Sequence, residues 1–252
     1  MKVHRPPKMT SAKFFGLFYG LTDTGKTYLL GSAQKCPETS PSLFINVDGG
    51  DLTLSGSDIH VVDVGSFAEL QEVFDFLKEE NTEYKSVCFD SLTAQQRDVS
   101  MPTILELGRS DDLNDLSRTK PPTQHDWLSS GQQMKNLLHA FKSLAKSKDT
   151  KTRVHVFMTA GERVDERRDL GVPALPGVLG TEVGGYVDIL GRMVHTIDEE
   201  SNKEVRYLYT VKHVEDDGFT YLGKNRGRRL PRRVKDPSIS KLMRYWHKEP
   251  GA

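Results

Sequence analysis

The sequence predicts an α/β domain: a mostly parallel central sheet flanked by helices, with an antiparallel β extension. Three observations predict it. Short apolar runs alternate with stretches of helical period over much of the chain. A glycine-rich loop stands between the first apolar run and the first helical stretch. Late in the chain two β-like stretches follow one another directly, Ile189 to Ile197 and Glu204 to Val214.

The elements follow in order. Lys13 to Tyr19 is a short apolar run that reads as a buried strand. Tyr28 to Lys35 suits a helix, stopped by Pro37. Ser42 to Val47 reads as a strand ending in Asp48-Gly49-Gly50, and His60 to Val64 as another. Ser66, with Glu69 three residues on, has the pattern of a capping box, and Phe67, Leu70, Val73, Phe74 and Leu77 continue at helical spacing. Ser86 to Phe89 is a strand ending at Asp90. Leu92 to Leu107 is weakly helical, with Pro102 as a kink or break. Gly108 to Gln124 is polar, charged and rich in turn formers, and reads as a mobile loop. Asp126 is the expected cap of a helix carrying Trp127, Met134, Leu137, Leu138, Phe141 and Leu144. Arg153 to Thr159 is a strand, and Val172 to Gly185, rich in Gly and Pro, a loop. The acidic break Asp198-Glu199-Glu200-Ser201-Asn202 turns the last two stretches into a hairpin.

The glycine-rich loop is Gly20-Leu21-Thr22-Asp23-Thr24-Gly25-Lys26-Thr27, which matches the phosphate-binding pattern G-x-x-x-x-G-K-[ST]. Its glycines let consecutive backbone N–H groups face one anion. Lys26 is placed to reach β- and γ-phosphates, and the Thr27 hydroxyl to sit on Mg²⁺. Strand, loop and helix in succession are the context that such a motif requires. Asp23 is out of character, because a carboxylate repels phosphate unless it points away or is paired. The second half of a nucleotide site is an acid for the magnesium shell, at the end of a hydrophobic strand beside the loop's own strand. Val87-Cys88-Phe89-Asp90 fits, so Asp90 is the candidate. A water-orienting residue is expected at the same sheet edge. Asp48 qualifies, although an acid that only supports the Asp-Gly-Gly turn explains it nearly as well. Glu162 is a weaker candidate, within a charged stretch that suits a solvated salt-bridge network.

Composition narrows the class. The 252 residues fit one large domain or two small ones, and 36% hydrophobic with 28% charged residues suits a chain with a proper core. No run approaches the roughly 18 apolar residues of a membrane span. The first residues are polar and basic, without an export signal. Two cysteines, Cys36 and Cys88, make neither a disulfide framework nor a zinc cluster, which points to a reducing, cytoplasmic setting. Net charge is zero, but residues 224–252 hold ten Lys and Arg against two acids, a local +8 on a body of −8. The run Lys224-Asn225-Arg226-Gly227-Arg228-Arg229 admits three readings: cations for a neighbouring subunit's γ-phosphate, nucleic-acid contacts, or a solvated face. Phe219, Tyr221, Tyr245 and Trp246 nearby could stack on bases, but packing explains them better.

Together, Gly20 to Thr27, Phe44 to Gly50 and Val87 to Ala94, in that order, resemble the core of the RecA-like P-loop ATPases. The chain looks most like phage-encoded Sak-type single-strand annealing ATPases; Leu175-Pro176-Gly177, Gly185 to Ile189, and Lys224-Asn225-Arg226 share in this likeness. The resemblance spans residues 12–232. It implies an N-terminal extension over 1–12, a RecA-like ATPase core over 13–232 and a basic C-terminal tail over 233–252. It implies ATP with Mg²⁺, bound by Gly20, Leu21, Thr22, Asp23, Thr24, Gly25, Lys26, Thr27, Tyr28 and Asp90, with Thr27 and Asp90 on the metal side. Asp48 and Lys26 become catalytic, and Lys224 and Arg226 complete a neighbour's site in a homo-oligomer. Single-stranded DNA, and a phage replication or single-strand-binding protein, are the implied partners, in the cytoplasm of a bacterial host. The alternative is a nucleotide-dependent assembly or loading protein with slow or no turnover. Two departures stand out. Asp48 occupies a position that is commonly Glu, and the γ-phosphate-sensing glutamine has no clear counterpart, Thr159 being the nearest polar residue.

Overall fold

A computed structural model describes residues 12–81, 83–105, 121–147, 152–198 and 202–248. Strand β1 (Phe15–Tyr19) runs into the glycine-rich loop and helix α1 (Lys26–Gly31). Then come β2 (Ser42–Asn46), β3 (His60–Asp63), α2 (Phe67–Asp75), β4 (Ser86–Asp90), α3 (Leu92–Ala94), α4 (Met101–Ile104) and α5 (Gln124–Lys146). Strands β5 (His155–Ala160), β6 (Glu162–Asp165) and β7 (Leu170–Pro173) precede the short α6 (Leu179–Glu182). The chain closes with β8 (Ile189–Asp198), β9 (Lys203–Tyr209), β10 (His213–Val214), β11 (Thr220–Tyr221), β12 (Lys224–Asn225), β13 (Arg233–Lys235) and α7 (Ile239–His247).

The main sheet has the order β13-β9-β8-β1-β5-β4-β2-β3, with β12 added to β8. Its pairs from β3 through β8 are parallel, and β8–β9, β9–β13 and β12–β8 are antiparallel. This is the expected class, a parallel core with an antiparallel extension. A second sheet, β10-β11-β7-β6, springs from the end of β5. Because β5 lies between β1 and β4, the strand of Asp90 is not the immediate neighbour of the loop's strand, as the sequence had suggested. The inserted strand brings its own hydroxyl, that of Thr159, to the acid.

Central strands buried on both faces read as continuous apolar runs. In β1, Phe15, Leu17 and Tyr19 face one core with Leu137, Leu138 and Phe141 of α5. Phe14 and Phe18 face the other, with Leu29 and Leu30 of α1 and Trp246 of α7. Alternation of side chains along the strand divides them.

Local chemistry explains the boundaries. Ser66 accepts the Glu69 N–H at 3.2 Å, and the Glu69 carboxylate takes the N–H of Gly65 at 2.8 Å. Helix α5 is capped by Thr123, not Asp126: Asp126 is the third helical residue of a capping box and returns its carboxylate to the Thr123 N–H. The chain does not break at Pro102. It widens into a π-helix over Gln95–Ser100 and runs on into α4, with Pro102 near the junction of the two. Of the expected loop at 108–124, the part from 108 to 120 lies outside the described residues. So do most of the extension drawn at 1–12, the turn residues 199–201 and the last residues of the tail.

The described part of the tail is not a tail. β13 pairs with β9, and α7 buries Ile239, Leu242, Met243 and Trp246. Their i, i+3, i+4, i+7 spacing forms one apolar stripe. Lys241 and Arg244 lie off that stripe, so the charge count masked the period. Trp246 is 1% exposed, donates its indole N–H to Ala12 O at 3.1 Å and meets the Phe14 ring edge-on. Trp246→Ala is expected to cost about 3–5 kcal/mol in urea unfolding, as for any fully buried large aromatic. A change within a few tenths would mean that α7 is dispensable to the core.

Candidate nucleotide site

The loop is shaped by its own backbone and by its neighbours. A β-carbon on Gly20 would fall 2.4 Å from Met193 O, so only glycine lets the loop leave β1 under β8. Asp23 (φ 64°) and Gly25 (φ 84°) are left-handed, which Asp tolerates better than most residues. The Asp23 side chain is exposed, and its carboxylate is near enough to Lys26 to favour the charged ammonium. Thr24 Oγ1 donates to Leu21 O at 2.9 Å. Lys26 Nζ turns back over the loop to Gly20 O at 3.0 Å and Leu21 O at 2.6 Å. Burial lowers the Lys26 pKa, and the carboxylates of Asp90, Glu162, Asp48 and Asp23 pull it back up. Leu21, Thr22 and Tyr28 are exposed around the loop.

Asp90, 2% exposed at the end of β4, accepts the Thr27 hydroxyl on Oδ2 at 2.5 Å and the Thr159 hydroxyl on Oδ1. Burial raises its pKa, and these two hydroxyls partly offset the rise. An open cavity of about 400 Å³ joins the loop to this acid, lined by Thr22, Lys26, Thr27, Asp48, Asp90 and Arg97 among others. Asp48 is exposed on the cavity wall, and its Oδ1 accepts the Gly50 N–H at 3.2 Å. Gly50 is close-fitting: a β-carbon there would stand 3.1 Å from Asp48 Oδ1 and 3.7 Å from Thr27 Oγ1.

Lys224 and Arg226 lie elsewhere. Lys224 pairs with Leu190 and Asn225 with Ile189, which in turn pairs with Gly16. Arg226 therefore sits near the start of β1, about four residues or ~13 Å along the strand from the loop. Lys224 Nζ donates to Val187 O at 2.9 Å and to Gly184 O. Arg226 Nε lies 3.0 Å from Asp188 Oδ1, and Lys146 holds the other oxygen at 2.9 Å. In the single chain, both cations are engaged away from the loop beside Asp90.

Several residues take parts that the sequence reading did not give them. Glu162 is no member of a solvated network: its side chain is 4% exposed and meets Arg192 Nε at 2.8 Å and Nη2 at 3.1 Å. Arg192 also bonds Glu215 at 2.8 Å and lies 3.2 Å over the Tyr221 ring. The signal was an arginine inside an apolar strand, which demands a buried partner; nothing in the sequence named that partner. Thr159 was noticed, but not as the hydroxyl that bonds Asp90.

A family model described as an AAA domain matches residues 13–226. The chain belongs to the AAA-domain family. With the loop, Lys26 and Asp90 assembled at one cavity, this AAA-domain chain is a P-loop ATPase. None of the curated proteins compared with it matches. Among solved structures, it is similar to a KaiC-like protein from Pyrococcus horikoshii OT3, at 13% identity over 79% of this chain and 77% of that one, TM-score 0.43. It is also similar to the RadB recombinase, at 13% identity over 84% and 92%, TM-score 0.43. A third is the flagellar accessory protein FlaH of Methanocaldococcus jannaschii, at 11% identity over 91% and 88%, TM-score 0.40. Among the described residues, no helix is long and apolar enough to cross a membrane.

Proposed function

We propose that this AAA-domain protein is a RecA-like core that binds and hydrolyses ATP with Mg²⁺ and acts on single-stranded DNA in phage recombination or replication, by annealing or strand exchange. In this reading Lys26 and the N–H groups of residues 20–28 hold the phosphates, Thr27 and Asp90 stand on the metal side, and Asp48 orients the attacking water. The donor set fits the metal: a hydroxyl and a carboxylate beside a phosphate loop suit Mg²⁺, which keeps waters and shares substrate oxygens. Among the described residues there is no cluster of three or more His, Cys, Asp or Glu that would make a protein-only cage. Bound Mg²⁺ neutralises charge on the reacting phosphates. Lys224 and Arg226 complete the site of a second copy; their distance from their own loop supports action in trans over action in cis. A phage replication or single-strand-binding protein is the further partner, in the cytoplasm of a bacterial host.

The observation that carries the DNA reading is a trough of about 630 Å³ that shares Thr93 and Arg97 with the nucleotide cavity. Arg163, Arg167 and Arg168 line it, with Trp127 46% exposed on its wall. Cations that track a backbone beside an aromatic platform suit single strands. Some of this charge is already compensated, since Arg97 pairs with Asp98 at 2.6 Å and Arg168 with Asp165 at 3.7 Å. The test is anisotropy of a labelled oligothymidylate across salt. Arg167→Ala/Arg168→Ala is expected to weaken binding and to flatten the salt slope by about 0.7 for each phosphate contact removed. Unchanged affinity and slope would contradict the DNA reading.

One observation favours the second reading, a nucleotide-dependent assembly or loading protein with slow turnover. Asp48 is a short acid whose Oδ1 is held by the Gly50 N–H of its own turn. ATP turnover that single-stranded DNA leaves unchanged, alongside tight ATP binding, would favour it.

A further inference from the structure

Arg206 reaches the phosphate loop from β9. A β-carbon on Gly25 would fall 2.7 Å from Arg206 Nε, 2.8 Å from its Cδ and 3.5 Å from its Cζ, so the side chain lies directly on the loop's second glycine. Its strand is fixed: the Asp236 N–H donates to Arg206 O at 2.7 Å, and β9 is paired on both sides. The Nε–H is buried and has no hydrogen-bond partner among the described residues. No ion pair of its guanidinium is found among those residues either.

We propose that Arg206 is a nucleotide-binding residue acting in cis, its guanidinium directed to the phosphates of a nucleoside di- or triphosphate. This rests on the nucleotide-binding reading of the loop. Two physical points carry it. A brace for Gly25 needs only an aliphatic stem; a guanidinium adds a buried N–H without an acceptor, and such groups in native proteins call for a missing partner. The loop supplies positive potential as well: Lys26 and the loop N–H groups face the anion cradle, with the carboxylates of Asp90, Glu162, Asp48 and Asp23 near enough to Lys26 to favour its charge. A phosphate oxygen supplies both the acceptor and the countercharge, and the planar fork of Arg suits it. The cross-strand neighbour of Arg206 is His195, whose Nε2 lies 3.5 Å from Glu204.

The test separates charge from packing. Arg206→Met keeps a stem over Gly25 and removes the guanidinium. Titration of a fluorescent ATP analogue and a fluorescent ADP analogue into wild type, Arg206→Met, Arg206→Lys and Lys26→Ala is the measurement, with thermal melts of each protein without nucleotide. Arg206→Met is expected to melt like wild type and to bind both analogues roughly 10- to 100-fold more weakly, the range of a lost charged hydrogen bond. Arg206→Lys should fall between them. If Arg206→Met binds like wild type while Lys26→Ala does not, Arg206 is a packing brace and the inference fails alone. If wild type and Lys26→Ala bind equally, the nucleotide reading itself fails and takes this inference with it.

Discussion

Lys26→Ala protein is expected to fold as wild type does, to bind MgATP at least ~100-fold more weakly and to show no turnover above background, because charged contacts to transferring phosphates dominate catalysis of this kind. The reason is visible in where the ammonium stands. Lys26 Nζ is held by Gly20 O and Leu21 O, carbonyls of the loop itself, so the group already stands over the anion cradle. Burial disfavours its charge, and Asp90 is the largest of the acids that restore it. A polyphosphate would restore it further, which makes binding and lysine protonation mutually reinforcing. Circular dichroism checks the fold, and titration with a fluorescent ATP analogue checks the affinity. Equal affinity in the two proteins would mean that the loop does not hold phosphate.

Asp90→Asn is expected to act in opposite directions on stability and on function. Its pKa is raised in the folded chain by burial, with the Thr159 and Thr27 hydroxyls opposing the rise. Between the ordinary carboxylate value of about 3.9 and the raised one, the folded chain binds more protons than the unfolded chain. Stability therefore declines as pH climbs through that window, and the cost is complete above it. The amide carries no such cost. The melting temperature of Asp90→Asn without nucleotide should gain on that of wild type as pH rises from 4 to 8, where a paired surface carboxylate would give the reverse trend. In the same variant, the Mg²⁺ dependence of ATP binding should weaken roughly 10- to 100-fold. A variant that loses ground on wild type as pH rises would show that Asp90 is stabilised as a charge, not strained by its burial.

The fold was legible wherever one strand or helix carries its own signal. β1, the loop, β2, β4 and the β8–β9 hairpin follow from apolar runs and turn formers, because local sequence alone decides such features. What could not be read is pairing between residues far apart in the chain. The strand order that sets β5 between β1 and β4 is a tertiary choice, and with it came the Thr159–Asp90 bond across 69 residues. The Glu162–Arg192 pair is of the same kind: each residue looks solvated until the partner is known. Arg206 stands in an alternating strand with nothing to mark it, and only the register of β9 against β8 brings it to Gly25. The end of the chain failed for another reason. Its lysines and arginines dominate the composition, while the four apolar residues of α7 that bury it are spaced at a period that a charge count does not register.

Release of inorganic phosphate from ATP by the wild-type protein, with Mg²⁺ and with the metal chelated, run beside Lys26→Ala, tests the central claim most directly. The assembled loop, Lys26 and Asp90 predict steady release that requires Mg²⁺ and disappears in Lys26→Ala. Release at the same rate in all three samples would contradict an ATPase centred on this loop.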